Sequence, residues 1–554
     1  MVKQPPERVL LSPSSVCRSW PFSIMDDMTR ALSRQVDTVI VGEYTPPRKH
    51  NPKSDPSCIG SGPSSLILSY ILHGNIPVYD LDSPHPDPIL HAKLKDHTNL
   101  LTADVDYLTD HFYGARFPYS TQALLVNVLL DTLIRPLGET DDAQKKTCVR
   151  WEHDPSRAVP HLVVGDTSRA GGQWVDNPVK ASWDIATLSY AGMLSLPGYP
   201  FDEFYHSRYG QPLPVYFRPT RHDITDYFAA YPSHVGIADS ILYNTRLQGI
   251  SRSDTGFHIA SHGIKCRHLV LASGIFTSMI EPRPLLQPLL DVRHVANPDE
   301  PLLVVGSGFS AADVIISAPP HQRIIHIYKW APSVSPSPLQ ACHHQAYPEY
   351  AGVYRRMKLA AVTSRLRRRS SAHRADSARF GETTRDWETT YEGLPNTAIV
   401  DVQVQDDKTV VTLQSGRNST FTRTISKLEY VVGRRGSLTY LDAALGDEIC
   451  PDADQRACLT GQTLREKANE SLELAPNVFA IGSLTGDSLI RFAYGGCAFA
   501  AGKIIWSDRA NGVLTTEISQ NGSDSRSNGT IQSERPITVP AMNGLQGHET
   551  NGYH

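Results

Sequence analysis

Four short runs of apolar, mostly β-branched residues punctuate the chain: Thr38-Val39-Ile40-Val41, His268-Leu269-Val270-Leu271-Ala272, Leu302-Leu303-Val304-Val305 and Val478-Phe479-Ala480-Ile481. None alternates apolar with polar positions as a strand with one wet face would, and each gives way to a glycine or serine. That pattern predicts strands buried on both faces and running into turns. Segments of helical character, Ser65–Leu72 and Ser310–Ile316, follow two of them, so strand alternates with helix and an α/β protein with parallel sheets is expected. Residues 1–36 show no period, and residues 509–554 are rich in Asn, Gly, Ser and Thr without an apolar stripe. Both ends are expected to be disordered.

Two of the strand-to-helix junctions carry chemistry. In "PLLVVGSGFSAADVIISA", Pro301 to Ala318, Gly306 permits a tight turn and Gly308 lets the backbone approach a pyrophosphate. Phe309 and Ser310 open the helix, and Ala311 keeps it close to its strand. The free N–H groups and positive dipole end of such a helix suit phosphate. The next strand, Arg323–Tyr328, runs into Lys329, where a cation suits the 2′-phosphate of NADPH. The earlier junction reads Val39-Ile40-Val41 and then Gly60-Ser61-Gly62-Pro63-Ser64-Ser65, once the residues between are set aside. Its following strand, Ile76–Tyr79, ends at Asp80, an acid placed to bond a ribose hydroxyl and so to select FAD. Acid in one junction and cation in the other predict one bound FAD and one visiting NADPH, with hydride passing between them and on to O2 or another acceptor.

The residues set aside, Gly42 to Ile59, include prolines 46, 47, 52 and 56. As a loop they would leave and re-enter at the glycine that must approach the phosphate. Their codons admit a GTGAGT donor and an AG acceptor in frame, so the segment reads as an unspliced intron. The uninterrupted turn would be "DTVIVGSGPSSLILSYILHG".

Composition narrows the partners. With 554 residues there is room for two or three domains. The net charge is −4, and the one basic cluster, Arg365-Leu366-Arg367-Arg368-Arg369, is too short to predict a nucleic-acid partner. Eight scattered cysteines without a Cys-x-x-Cys pair point to reduced thiols and a cytoplasmic location. Cys342-His343-His344 lacks a companion pair at ligand spacing, so no metal site is expected. No membrane span is expected either, because no run of about eighteen apolar residues occurs.

The paired glycine turns, Gly171-Gly172-Gln173-Trp174, "LVLASG" at Leu269–Gly274 and the late "NVFAIGSLTGDSLIRFAYGGCAFAAGKII" resemble the flavin-containing monooxygenase superfamily. "SWDIATLSYAGMLSLPGYPF", "DYFAAYPSHVGI" and "GSGFSAAD" are similar to its oxidative stress-induced growth inhibitor branch, and the resemblance covers about residues 37–508. It implies two Rossmann-like domains: an FAD domain of residues 37–300 and 426–508, split in sequence by an NADPH domain of residues 301–425. It implies also that Gly172, Gln173 and Trp174 pack near the flavin and that Gly482 and Asp487 lie over its pyrophosphate and ribityl chain. "LASG" becomes the crossover between domains. The implied activity is oxygenation of a small-molecule substrate by a reduced flavin and O2, with no catalytic residue assigned. One departure stands out: "LLDVRHVANPDEPLLVVG" keeps His294 of the usual monooxygenase signature without its aromatic and glycine companions. Two alternatives stay open, an N-hydroxylating enzyme acting on an amino-acid side chain and a regulatory protein that binds both nucleotides without turnover.

Overall fold

The computed structural model describes residues 35–41, 61–138, 147–291, 299–366, 385–404, 408–415 and 419–520. The insert 42–59, Gly60, His294 and the arginines at 367–369 lie outside the described residues, as do both extreme ends. The described residues up to Ile505 make one compact unit, and those from Trp506 to Gln520 belong to a second.

All four apolar runs become strands. In the first sheet β19 (Val478–Ala480), β8 (Ile264–Leu271), β1 (Gln35–Val41), β4 (His161–Val164) and β5 (Ile241–Leu242) lie side by side and parallel in that order. An antiparallel strand, β18 (Glu473–Ala475), is added beside β19, and the hairpin of β6 (Ile250–Ser253) and β7 (Gly256–Ile259) joins through β8. Val39 and Val41 pack with Leu269, Leu271, Val478 and Ala480 in one core. Ile40 and Val270 alternate to the opposite face and are just as buried, which is why these runs are apolar throughout.

The second sheet is wholly parallel, in the order β12 (Tyr391–Pro395), β11 (Ile324–Tyr328), β10 (Leu302–Val305) and β16 (Lys427–Tyr430). On one face Leu303, Ile325 and Ile327 pack with Val411, Leu413 and Ile425 of an antiparallel meander, β13 (Ala398–Val404), β14 (Thr409–Gln414) and β15 (Thr420–Ile425). Facing the other way, Val304, Ile324 and Tyr328 meet helices, through Ala311 and Ile315 of α4 (Phe309–Ser317) and Tyr350, Val353 and Met357 of α5 (Pro348–Leu366). Since β16 pairs with β10, this sheet extends past the break expected at residue 425. The chain passes between the sheets twice, after β8 and after β16. The short strands β9 (Ser278–Met279) and β17 (Arg434–Arg435) at those passages pair with each other.

Two expectations need correction. The strand ending at Asp80, β2 (Asn75–Tyr79), is not the neighbour of β1; it pairs with β3 (Val149–His153) in a separate antiparallel ribbon. The place beside β1 belongs to β4, whose His161, Leu162, Val163 and Val164 register with Thr38, Val39, Ile40 and Val41. The reason is in the strand itself, because Pro77 has no N–H to give to a central ladder. At the other end, α6 (Tyr494–Gln520) continues through residues 509–520, where disorder was expected.

Candidate functional site

The first glycine turn leads into α1 (Pro63–Leu72), with Gly62 at its N-cap in extended conformation and no side chain capping it. Pro63 takes the first helical position, where its missing N–H is not needed. Among the described residues, a Cβ on Gly62 would meet nothing within 4 Å. Ser61 and Ser65 are fully buried, and neither hydroxyl has a hydrogen-bond partner among the described residues. Ser61 also lies close to the Tyr243 phenol, so Ser65 is the stronger signal. A buried hydroxyl without a partner costs about 1–3 kcal/mol. Such groups at an uncapped helix N-terminus fit a phosphate, which accepts hydrogen bonds from both.

Two other segments wall this turn. After β4, the N–H of Gly171 donates to the Ser61 carbonyl at 2.8 Å, which seats the tight turn Gly172–Trp174 against it. After β19, Gly482 adopts φ +66°, and a Cβ there would lie 2.4 Å from Ser64 Oγ. Only glycine permits both that backbone and that approach. Asp487 holds the wall together: its Oδ2 accepts from the Leu124 N–H at 2.9 Å and from Asn127 Nδ2 at 2.6 Å, and its Oδ1 from Arg465 at 2.5 Å. That satisfies the backbone N–H just before α2 (Leu125–Ile134) and occupies both carboxylate oxygens.

Asp80, in its separate ribbon, faces Arg150 at 3.4 Å. The acid at the end of the strand next to β1 is instead Asp166, two residues beyond β4. Its carboxylate accepts from Arg246 Nε at 2.9 Å and Nη2 at 2.8 Å; burial pushes its pKa up and Arg246 pulls it back. The sequence carried a signal for it in "HLVVGD", a nearly continuous apolar run ending in glycine and acid, five residues before Gly171.

The second turn follows β10. Gly306 has φ +156°, and a Cβ would lie 2.5 Å from the Val431 carbonyl and 3.2 Å from Ala311. Its carbonyl accepts from His326 Nε2 at 2.7 Å, while the Tyr391 hydroxyl reaches His326 Nδ1 at 2.8 Å. The carbonyl requires the proton on Nε2, so the imidazole is neutral and accepts from the phenol. Burial lowers its pKa to about 4. Gly308 caps α4 without a side-chain bond, Phe309 and Ser310 begin the helix, and Lys329 is exposed immediately past β11.

Where the two sheets meet lies a group of charges that the sequence did not single out. From β17, Arg434 donates to Gln173 Oε1 at 3.1 Å and Asn177 Oδ1 at 3.2 Å, and it lies over the Phe276 ring. Arg221, buried on α3 (Arg221–His234), donates to the Trp174 and Val175 carbonyls at 3.3 and 3.2 Å and stacks on Trp183. Asp313 on α4 accepts from the Tyr350 hydroxyl at 2.8 Å; burial pushes its pKa up to about 6 against the pull of that hydroxyl, Arg434 and Arg221. Asp176 is also pushed up to about 6, by burial and then by Asp166, and its Oδ2 is buried without a partner among the described residues.

A first sheet with a parallel core and a wholly parallel second sheet, each with a glycine-capped helix N-terminus beside it, at Gly62 and Gly308, define an α/β protein with charged side chains between the sheets. The chain is 26% identical to mouse oxidative stress-induced growth inhibitor 1 over 497 residues, covering 81% of this chain and 94% of that one. It is 22% identical to human oxidative stress-induced growth inhibitor 2, over 79% of this chain and 90% of that one. The chain is thus similar to the oxidative stress-induced growth inhibitors along most of its length. No protein-family model matches it. A flavin monooxygenase from Stenotrophomonas maltophilia superposes at a TM-score of 0.43 with 12% identity, covering 86% of this chain and 99% of that one. Among the described residues no helix is long and apolar enough to cross a membrane, and no group of three or more His, Cys, Asp or Glu side chains is placed to hold a metal.

Proposed function

We propose that the chain is an FAD-dependent, NADPH-using oxidoreductase of the monooxygenase type, acting on a small-molecule substrate with O2. The observation that carries this reading is the first turn: an uncapped helix N-terminus with the orphaned Ser65 hydroxyl, walled by two segments that come from far away in sequence. Gly60, Gly62, Pro63, Ser64 and Ser65 would hold the FAD pyrophosphate. Asp166 takes the ribose role first expected of Asp80. Gly172, Gln173, Trp174 and Gly482 line the same site, and Asp487 braces its wall. Gly306, Gly308, Phe309, Ser310 and Ala311 would receive the NADPH pyrophosphate, with Lys329 reading the 2′-phosphate. The FAD domain is then the first sheet, split in sequence by the second. Bound FAD supplies the chemistry of accepting two electrons from NADPH and passing them to O2. The chain's own part is to bind and orient both nucleotides and to keep water from the space between them.

A second reading is a regulatory protein that binds both nucleotides without turnover, favoured by the growth-inhibitor names of the relatives. Purified protein separates the two. The enzyme reading expects a yellow flavin spectrum, bleaching on anaerobic addition of NADPH, and an oxygenated product when air is admitted. Flavin that NADPH does not bleach would sink it. A chain with Val41 joined directly to Gly60 is expected to hold more flavin than one carrying residues 42–59.

A further inference from the structure

We infer that Asn396 is the residue that positions Lys329, and so sets how strongly the second turn prefers a nucleotide carrying a 2′-phosphate. The inference rests on the NADPH reading of Lys329 given above and adds a residue that acts through that lysine. β11 and β12 pair as far as Tyr328 and Pro395, and the Asn396 N–H then donates to the Tyr328 carbonyl at 2.8 Å. There the chain leaving β12 turns away: Asn396 adopts φ +53°, and β13 begins at Ala398. Past that point the Asn396 side chain takes the place of a strand. Its Oδ1 accepts from the Trp330 N–H at 2.8 Å, and its Nδ2 donates to the Trp330 carbonyl at 3.0 Å. A short side-chain amide offers donor and acceptor together, and asparagine is also among the few residues besides glycine that enter the left-handed region.

These three bonds bracket Lys329 from both sides. Tyr328 before it and Trp330 after it both turn toward α5: the Tyr328 hydroxyl donates to the Met357 carbonyl at 2.6 Å, and the Trp330 ring lies 5.7 Å from that of Tyr354. Side chains along an extended segment alternate, so Lys329 is left facing the other way, and it is exposed. The same segment is tied to the glycine turn, since the Gly306 N–H donates to the Ile327 carbonyl at 3.0 Å, two residues before Lys329. A lysine side chain is long and flexible, and its hold on a phosphate is weakened by every degree of freedom that binding must freeze. Fixing the backbone on both sides removes part of that cost before the nucleotide arrives. The glycine turn would meet the pyrophosphate, which NADPH and NADH share, so the gain falls on the 2′-phosphate alone.

The test titrates NADP+ and NAD+ into the full chain by calorimetry, for the wild type, Asn396→Gly, Lys329→Ala and the double variant. Asn396→Gly keeps the left-handed backbone and loses both side-chain bonds; it is expected to weaken NADP+ binding about fivefold and NAD+ binding less than about twofold. Lys329→Ala is expected to weaken NADP+ binding at least about tenfold, again sparing NAD+. In the Lys329→Ala background, Asn396→Gly should cost NADP+ nothing further, because its effect passes through the lysine. An equal loss for both nucleotides on Asn396→Gly, no loss at all, or a loss that persists without Lys329 would each overturn the inference and leave the NADPH reading standing. If Asn396→Gly does not fold, Asn396→Asp, which keeps the acceptor for Trp330 and drops the donor, is judged by the same criteria. Lys329→Ala that weakens both nucleotides equally, or neither, removes the NADPH reading and this inference with it.

Discussion

The two glycine turns share a plan but are held in different ways. At the second, the restraints come from the sheet's own strands: Gly306 is fitted against Val431 just past β16, and its carbonyl is bonded by His326 on β11. At the first, the restraints come from the segments that follow β4 and β19, at Gly171 and Gly482, and the sequence between β1 and the turn carries residues 42–59. The first turn thus depends on the assembled first sheet, and among the described residues its Ser65 hydroxyl is buried without a partner.

The largest effect should come from the brace of the first turn. Asp487→Ala removes three acceptor contacts and leaves Arg465 with backbone carbonyls but no carboxylate, and we expect a loss of about 3 kcal/mol in denaturant unfolding, with most flavin lost. Next comes Gly306→Ala, where a Cβ meets backbone and the φ is hostile; about 3 kcal/mol is expected. Gly482→Ala should cost less, about 1–2 kcal/mol, since the Ser64 hydroxyl can rotate away, but it should reduce flavin content more than Gly306→Ala does.

Acid should weaken both halves alike. His161 in β4 and His326 in β11 are each held neutral by burial, with pKa lowered to about 4. The unfolded chain takes up protons near pH 6.5, so stability is complete above that pH and is lost as pH falls toward 4. At pH 5 each histidine should account for on the order of 2 kcal/mol of the loss. His326→Gln and His161→Gln, unfolded at pH 7 and pH 5, should each show a smaller drop between the two than wild type.

The smallest effect sharpens the correction at the strand ends. Asp166→Asn should weaken flavin binding about tenfold, roughly 1.4 kcal/mol. Asp80→Asn should change neither flavin content nor stability by more than about 0.5 kcal/mol. Equal effects of the two on flavin titration would return the ribose role to Asp80.

Much of the fold was legible because burial on both faces leaves a mark on every residue of a strand. The runs at Val39, Leu269, Leu302 and Val478 could be read from their lack of alternation, and Gly306, Gly308 and Ala311 from their spacing. The second strand of the first sheet was misread because spacing from Gly62 favoured Asn75–Tyr79, although Pro77 already argued against a central place for it. Arg434 and Arg221 left no local mark at all. One lies in a glycine-flanked strand of two residues and the other opens a helix, and nothing in their neighbours speaks of the other.

By itself, then, the sequence determined the class of fold, the two turns and the charge at the end of β11, since each depends on residues within a few positions of one another. Which acid lies beside β1, what Asp487 binds, and how Gln173, Arg221, Asp313 and Arg434 come together were decided only by the tertiary structure. These depend on which strands pair and where the chain passes between sheets. Such choices are made by the burial of whole surfaces, and no local stretch records them.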